Sequence, residues 1–511
     1  MLSAKWQKLQ NGSDIRGITL DGIPSQTVNL TEETVYAIAK SFGVWLGENT
    51  NKPVSKLTIA IGNDSRLSAP ILKKAVIQGL TEIGCNVVDC GLASTPAMFM
   101  TTVTPGYEYD GSIMITASHL PFNRNGLKFF TKEGGLEKQA ITEILSLAEK
   151  GDFPISGTPG RVTQIDFISV YAGILVDKIR RSVAHPQNYQ EPLKGFKIVV
   201  DAGNGSGGFF ADKVLKPLGA DTTGSQFLEP DGSFPNHIPN PEDPTAMELI
   251  SSAVLKSKAD LGIIFDTDVD RASAVDQNGK EINRNRLIAL MATIVLEEHP
   301  GSTIVTDSVT SSGLKIFIEN LGGVHHRFKR GYKNVINEAI RLNQQGTLSH
   351  LAIETSGHGA LKENFFLDDG AYLIAKILVK LASLKLKTNL TLDFLIESLE
   401  EPLESKEFRL NILKDDFKPY GEKVLQDLQN YAATMTNWMV EPNNYEGIRV
   451  SFGKGNGDGW FLLRMSLHDP LMPLNIESNS AGGVKQIVTA LWPFLQQYGQ
   501  LDLAPLETYL K

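Results

Sequence analysis

Leu261-Gly262-Ile263-Ile264-Phe265-Asp266-Thr267-Asp268-Val269-Asp270-Arg271 is the stretch on which the reading of this chain turns. A largely apolar run of strand length leads straight into three carboxylates at alternate positions. In extended backbone alternate residues face one side, so Asp266, Asp268 and Asp270 can converge. Anions gathered in this way repel unless a cation joins them, and an all-oxygen set suits a hard ion, magnesium or calcium. An EF-hand loop counted from Asp266 would put Arg271 where glycine is required and Gln277 where the bidentate glutamate belongs, so that reading is rejected. Three solvated acids in a turn are the plain alternative.

The same plan, an apolar strand ending in a polar loop, recurs on both sides. Ser112-Ile113-Met114-Ile115 runs into Thr116-Ala117-Ser118-His119, and Ala352-Ile353 runs into Glu354. Ligands of open α/β sheets bind beyond the carboxyl ends of strands, so these loops are where chemistry is expected. Around them the pattern predicts a strand at 57–61, an amphipathic helix at 69–83 and a strand at 86–90, one βαβ unit. A second set starts at Lys197-Ile198-Val199-Val200, and a third runs from Thr303-Ile304-Val305 to Leu351-Ala352-Ile353. The expectation is an α/β protein: three similar α/β domains with largely parallel mixed sheets, followed by a smaller C-terminal α+β domain. The last has strands at Arg449-Val450-Ser451-Phe452 and 460–464 and helices at 420–431 and 483–498. Boundaries are expected at 1–160, 161–280, 281–400 and 401–511. A chain of 511 residues is too long for one ordinary core.

Composition narrows the function classes. With 41% hydrophobic and 21% charged residues the chain is that of a folded protein. Net charge is −9 and no long basic run occurs, which argues against nucleic acid as a partner. The two cysteines, Cys85 and Cys90, read as small buried thiols and fit a reducing compartment. Neither a secretory leader nor a run of about 20 apolar residues is evident, so no membrane is expected. A cytoplasmic location is the expectation, a plastid location of a processed form the alternative. Oligomeric state is not legible.

Ser118 would pass for an ordinary turn residue but for its place at a strand end, with His119 beside it and Lys128 ten residues on. Together they offer a nucleophile, a polar relay and a cation for phosphate. No G-x-S-x-G elbow surrounds Ser118, which removes the serine-hydrolase reading. Glu354-Thr355-Ser356-Gly357-His358 supplies donors and acceptors suited to vicinal hydroxyls. Arg464-Met465-Ser466, with His468 nearby, joins a guanidinium fork to a hydroxyl, as phosphate recognition needs. Gly203-Asn204-Gly205-Ser206-Gly207-Gly208 satisfies the dinucleotide pattern G-x-G-x-x-G, but no acidic residue closes a well-formed second strand after it. Glycines for a tight turn and close helix packing are the favoured reading. Phe209 in place of lysine excludes a P-loop.

These segments, in this order and over nearly the whole chain, resemble the α-D-phosphohexomutases, the family of phosphoglucomutase and phosphomannomutase. Asp14-Ile15-Arg16-Gly17 resembles the family's D-I-R-G. The resemblance implies that Ser118 is the phosphorylated serine and that Asp266, Asp268 and Asp270, with Ser118, hold Mg2+. It further implies that Glu354, Ser356 and His358 bind sugar, that Lys333 in Gly331-Tyr332-Lys333 lies near substrate, and that Arg464 and Ser466 begin the distal phosphate loop. By the same analogy Lys128 assists proton transfer and Arg16 and Arg271 neutralise phosphate, while His119 stands beside the serine as a polar relay or, equally, a hydrogen-bonded loop histidine. The four domains then carry, in order, the phosphoserine, the magnesium, the sugar-recognition loop and the distal phosphate site.

Three departures stand out. Thr267 replaces a usual glycine, Leu120 a usual asparagine, and Ser466-Leu467-His468-Asp469-Pro470 stands where S-G-T-E-P is expected. The implied reaction interconverts glucose 1-phosphate and glucose 6-phosphate through glucose 1,6-bisphosphate, with a sugar bisphosphate as phosphoryl donor or activator and phosphosugars as the small-molecule partners. Because the distal loop is atypical, a glucose-1,6-bisphosphate synthase charged from fructose 1,6-bisphosphate stands beside it. A non-catalytic phosphosugar-binding regulator is the alternative of another class, disfavoured by retention of the serine and all three aspartates. Glucose is not separable from mannose or glucosamine at this level.

Overall fold

The computed structural model describes residues 2–153, 156–388, 390–466 and 469–511. It divides into two compact units: the chain up to Leu287 together with Ser356–Phe394, and Ile288–Thr355 together with Leu395–Lys511.

In the first unit an eight-stranded mixed sheet is parallel on one side and antiparallel on the other. Asn86–Leu92, Thr58–Asn63 and Gly111–Ile115 lie in parallel, and Arg124–Thr131 and Asp14–Ile18 continue the sheet antiparallel. The helix Glu32–Thr50 starts where Thr31 accepts from the Thr34 N–H and Glu32 and Glu33 complement the helix dipole. The helix Ala69–Glu82 closes the βαβ unit seen in the sequence. Phe42, Leu46, Ile59, Ile61, Ile113 and Phe129 fill the core between them. Truncating a buried phenylalanine such as Phe42 to alanine costs about 3–5 kcal/mol. Cys85 and Cys90 are both free and buried.

The second sheet runs in the order Glu281–Ile282, Ala272–Asp276, Leu261–Phe265, Ile198–Asp201. Leu261–Phe265 pairs in parallel with Ile198–Asp201 and antiparallel with Ala272–Asp276, the last register pair being Phe265 and Ala272. The aspartate run is therefore the tip of a hairpin, closed by the Asp266 N–H donating to the Arg271 carbonyl at 3.2 Å. Glycine matters here for close approach: a Cβ on Gly205 would sit 2.6 Å from the Thr267 carbonyl oxygen, and the Ser206 N–H donates to that oxygen at 2.8 Å. The G-x-G-x-x-G segment thus packs against the aspartate hairpin, as the turn-and-packing reading requires. The helices Phe167–Val183 and Gly370–Lys387 pack on each other in the same unit.

In the second unit Val324–Arg327, Thr303–Thr306 and Ser349–Ile353 are parallel neighbours. An antiparallel sheet follows, in the order Glu404–Asn411, Leu471–Ser478, Gly459–Leu463, Ile448–Phe452, Met439–Val440. The helices Phe417–Thr434 and Gly483–Leu495 bury Val424, Leu428, Ile487 and Leu491 against it. This is the α+β arrangement expected of the C-terminal region. Among the described residues no helix is long and apolar enough to cross a membrane.

Candidate active site

The first unit gathers Ser118, His119, Lys128, the three aspartates, Arg271, Ser356 and His358. Ser118 follows the buried strand Gly111–Ile115 and adopts a left-handed backbone, φ +53°. That conformation is uncommon for an L-residue and here turns the side chain inward. Its N–H donates to Thr116 Oγ1 at 2.9 Å, and the residue is 3% exposed. Ser118 Oγ donates to Asp266 Oδ2 at 3.0 Å and accepts from Arg271 Nη2 at 2.6 Å. His119 Nδ1 lies 3.2 Å from the same oxygen.

The aspartates converge, but on the hairpin turn, where Val269 takes φ +67°, and not on the extended backbone their alternation suggested. Ligand oxygens of Asp266, Asp268 and Asp270 lie within 4.8 Å of one another, and all three residues are buried. Lys128 Nζ donates to Asp268 Oδ2 at 3.1 Å and also to Asp270. Arg271 Nε donates to Asp266 Oδ2 at 3.1 Å. Asp268 Oδ1 and Asp270 Oδ1 remain buried with no hydrogen-bond partner. Orphaned carboxylate oxygens are costly, and an all-oxygen set with two of them fits a hard divalent cation.

Charge regulation follows from this crowding. Burial and the neighbouring Asp270 and Asp268 push the Asp266 carboxyl well up. Burial acts on Asp270 in the same sense, but Lys128, His358 and Arg271 overcome it and hold its carboxyl below the usual range. Burial, then Arg271 and Arg16, keep the His119 imidazole well below its ordinary value.

Gly126 allows the strand that carries Lys128 to pair closely with its neighbour. The strand Arg124–Thr131 pairs with Asp14–Ile18 so that Gly126 faces Arg16, and a Cβ there would lie 2.3 Å from the Ile15 carbonyl oxygen. Arg16 itself pairs with Asp14 at 2.9 Å. The 356–358 loop lies against the same hairpin: His358 bridges Arg271 through the backbone, and its Nδ1 is 2.9 Å from Ser356 Oγ. His358 Nε2 stands 3.9 Å from Asp270 Oδ1 and 3.5 Å from Asp368 Oδ2.

Lys333, Glu354, Arg464 and Ser466 belong to the second unit. The Glu354 carboxylate accepts from the Gly331 N–H at 2.6 Å, at the head of the helix Tyr332–Gln344 that carries Lys333. Arg464 lies 3.9 Å from Glu446, whose carboxylate also accepts from Ser308 Oγ and, at 3.1 Å, from the Arg330 N–H. The Ser466 N–H donates to the Leu471 carbonyl at 3.0 Å, and its Oγ accepts from the Asp469 N–H at 3.3 Å. His468 lies outside the described residues.

Four contributors were missed in the sequence. Thr95 donates through its hydroxyl to the Asp268 carboxylate and through its N–H to the Asp268 carbonyl at 2.8 Å. Asp368 stands behind His358, Glu446 stands beside Arg464, and Arg66 contacts the Ser118 loop. Asp64-Ser65-Arg66 follows the carboxyl end of Thr58–Asn63, the parallel neighbour of the Ser118 strand, so the strand-end rule would have flagged it.

Three family profiles match the chain: phosphoglucomutase/phosphomannomutase alpha/beta/alpha domain I over residues 7–154, domain II over 176–279 and domain III over 283–402. A phosphoglucomutase of Neisseria gonorrhoeae is 32% identical over 476 residues, covering 93% of this chain and 94% of that protein. A phosphomannomutase/phosphoglucomutase of Pseudomonas aeruginosa is 30% identical over 477 residues, covering 93% of each. A solved phosphoglucomutase/phosphomannomutase family protein of Burkholderia thailandensis superposes with a TM-score of 0.77 at 26% identity, covering 97% of this chain and 98% of that one.

Proposed function

The chain belongs to the phosphoglucomutase/phosphomannomutase family, and from that premise we propose that it moves phosphoryl groups between hexose phosphates through Ser118. The reaction on this reading interconverts glucose 1-phosphate and glucose 6-phosphate by way of glucose 1,6-bisphosphate. The observation that carries it is the setting of Ser118 Oγ, hydrogen-bonded to both Asp266 and Arg271 inside a buried cluster of acids.

Phospho-Ser118 presents its group to a sugar hydroxyl. The P–O bond to Ser118 breaks, the bond to the sugar oxygen forms, and the hydroxyl proton passes to the serine side with Lys128 and His119 as the groups that move it. Arg271, within hydrogen-bond reach of Ser118 Oγ, offsets the charge on the transferring group, and Arg16 assists from the adjacent strand. Asp266, Asp268 and Asp270, with Ser118, would hold Mg2+, which would supply further charge neutralisation. Glu354, Ser356, His358 and Lys333 bind the sugar, and Arg464 and Ser466 its distal phosphate. The four roles fall to domains at about 1–160, 161–280, 281–400 and 401–511, in a cytoplasmic enzyme.

The mutase reading is tested by supplying glucose 1-phosphate to the purified protein with and without glucose 1,6-bisphosphate. Glucose 6-phosphate should form rapidly, and bisphosphate should accelerate it. A second reading rests on the Ser466-Leu467-His468-Asp469-Pro470 loop, which departs from the family pattern where the bisphosphate must be held in two orientations. An enzyme that charges Ser118 from fructose 1,6-bisphosphate and releases glucose 1,6-bisphosphate, with little glucose 6-phosphate, would replace the mutase reading with a synthase.

A further inference from the structure

Every Nη hydrogen of one buried arginine goes to the loop that carries Ser118. Arg66 Nη1 donates to the Pro121 carbonyl at 2.8 Å and to the Arg124 carbonyl at 2.9 Å. Nη2 donates to the Leu120 carbonyl at 2.6 Å and to the carbonyl of Ser118 itself. Nε faces Asp64 Oδ2 at 3.3 Å, and neither side chain has any exposed surface. Phe234 covers the guanidinium, its ring centroid 5.2 Å away.

We infer that Arg66 is a positioning residue for phosphoryl transfer, fixing the peptide planes of residues 118–124 so that Ser118 Oγ is presented to Arg271 and Asp266. The inference rests on the Ser118 reading above. Two turn bonds lie within the loop, Leu120 N–H to Ala117 O at 3.2 Å and Arg124 N–H to Pro121 O at 3.0 Å, and the Thr19 and Leu20 N–H groups hold the Asn123 carbonyl at 2.8 and 3.2 Å, which leaves the carbonyls of Ser118, Leu120 and Pro121 to Arg66. Ser118 keeps a left-handed backbone, a conformation that persists only where the surroundings over-determine it. A planar fork with four Nη hydrogens spans four carbonyls at once. A lysine ammonium has three donors radiating from one atom and cannot do so. The Ser118–His119 peptide is trans, as are all among the described residues, so pinning the Ser118 carbonyl to Arg66 turns the His119 N–H away from it.

The fork is itself fixed to the sheet. The Asp64 N–H donates to the Ile115 carbonyl at 3.1 Å, and Asp64 Oδ1 accepts from the Arg66 N–H at 3.0 Å. Arg66 thus couples the ends of two adjacent parallel strands to the loop that leaves one of them.

The test is the rate at which glucose 1,6-bisphosphate phosphorylates Ser118 in wild type, Arg66→Lys and Arg66→Ala, followed by quenched-flow intact mass. It is accompanied by peptide-resolved amide exchange. Arg66→Lys should phosphorylate about 100-fold more slowly with half-saturation by the bisphosphate changed less than about threefold. Exchange should quicken in the 117–125 segment and not elsewhere in the first unit, and added guanidinium should restore part of the Arg66→Ala rate. Wild-type rate in Arg66→Lys, a loss confined to half-saturation, or exchange raised throughout the unit would each overturn the inference. Should wild type take no phosphate, the Ser118 reading fails instead, while unchanged exchange at 117–125 in Arg66→Lys would still overturn the anchoring role.

Discussion

Arg271 Nη2 donates to Ser118 Oγ at 2.6 Å, and Nε of the same guanidinium donates to Asp266 Oδ2 at 3.1 Å. One rigid fork therefore sets the distance between the proposed phosphoryl carrier and the first aspartate. Arg271→Lys keeps the charge and loses the fork, and should lower the single-turnover transfer rate about 100- to 1,000-fold, with a smaller change in substrate affinity. Rapid-quench measurement of phosphate leaving Ser118 checks this; a loss below about threefold would detach Arg271 from the reaction.

The aspartate cluster makes opposite predictions with and without metal. Three carboxylates within 4.8 Å, two with orphaned oxygens, strain the metal-free protein. Asp268→Asn should leave metal-free thermal stability equal or higher while weakening Mg2+ binding at least about tenfold. Calorimetric titration and thermal scans with and without Mg2+ read the two effects separately. Chelation should abolish transfer in the wild type.

Burial pushes the Cys85 and Cys90 thiols up to about 12, so almost no thiolate exists near neutrality. Native protein at pH 8 should resist alkylation by iodoacetamide over hours and take two labels once denatured. Rapid native labelling of either thiol would show that its segment opens.

His325 predicts an acid limb of stability. Its Nδ1 is buried without a hydrogen-bond partner while Nε2 meets Thr306 Oγ1 at 2.8 Å. Burial, then Arg327 and Arg449, hold the imidazole well below 6.5. A folded-state pKa below the unfolded value means that stability is complete above about pH 6.5 and lost as the pH falls. His325→Gln should flatten that limb, the wild type losing up to about 1.4 kcal/mol per pH unit relative to the variant below about pH 6. Denaturant midpoints at pH 7.5 and 5.5 test the sign.

The sequence was most informative where chemistry and periodicity coincide locally. Asp266, Asp268 and Asp270 announce themselves because a buried strand leads straight into three acids at alternate positions. The helix expected at 69–83 is Ala69–Glu82, while those expected at 420–431 and 483–498 are Phe417–Thr434 and Gly483–Leu495. Pro419 is tolerated in the first turn of Phe417–Thr434, so the helix begins earlier than its apolar face suggests. What stayed hidden is contact across sequence. Arg66 meets carbonyls of residues 118–124, and Thr95 meets Asp268, through bonds that no spacing rule records. That the acids lie on a hairpin was equally hidden, because its tip holds no glycine or asparagine and the left-handed position falls to the β-branched Val269, φ +67°.

The central claim is that Ser118 carries the phosphoryl group, and intact-mass analysis after incubation with glucose 1,6-bisphosphate and Mg2+ tests it most directly. Wild type should gain one phosphoryl group, lose it to added glucose 1-phosphate or glucose 6-phosphate, and show none in Ser118→Ala. Equal labelling of Ser118→Ala, or no labelling of wild type, would contradict the account.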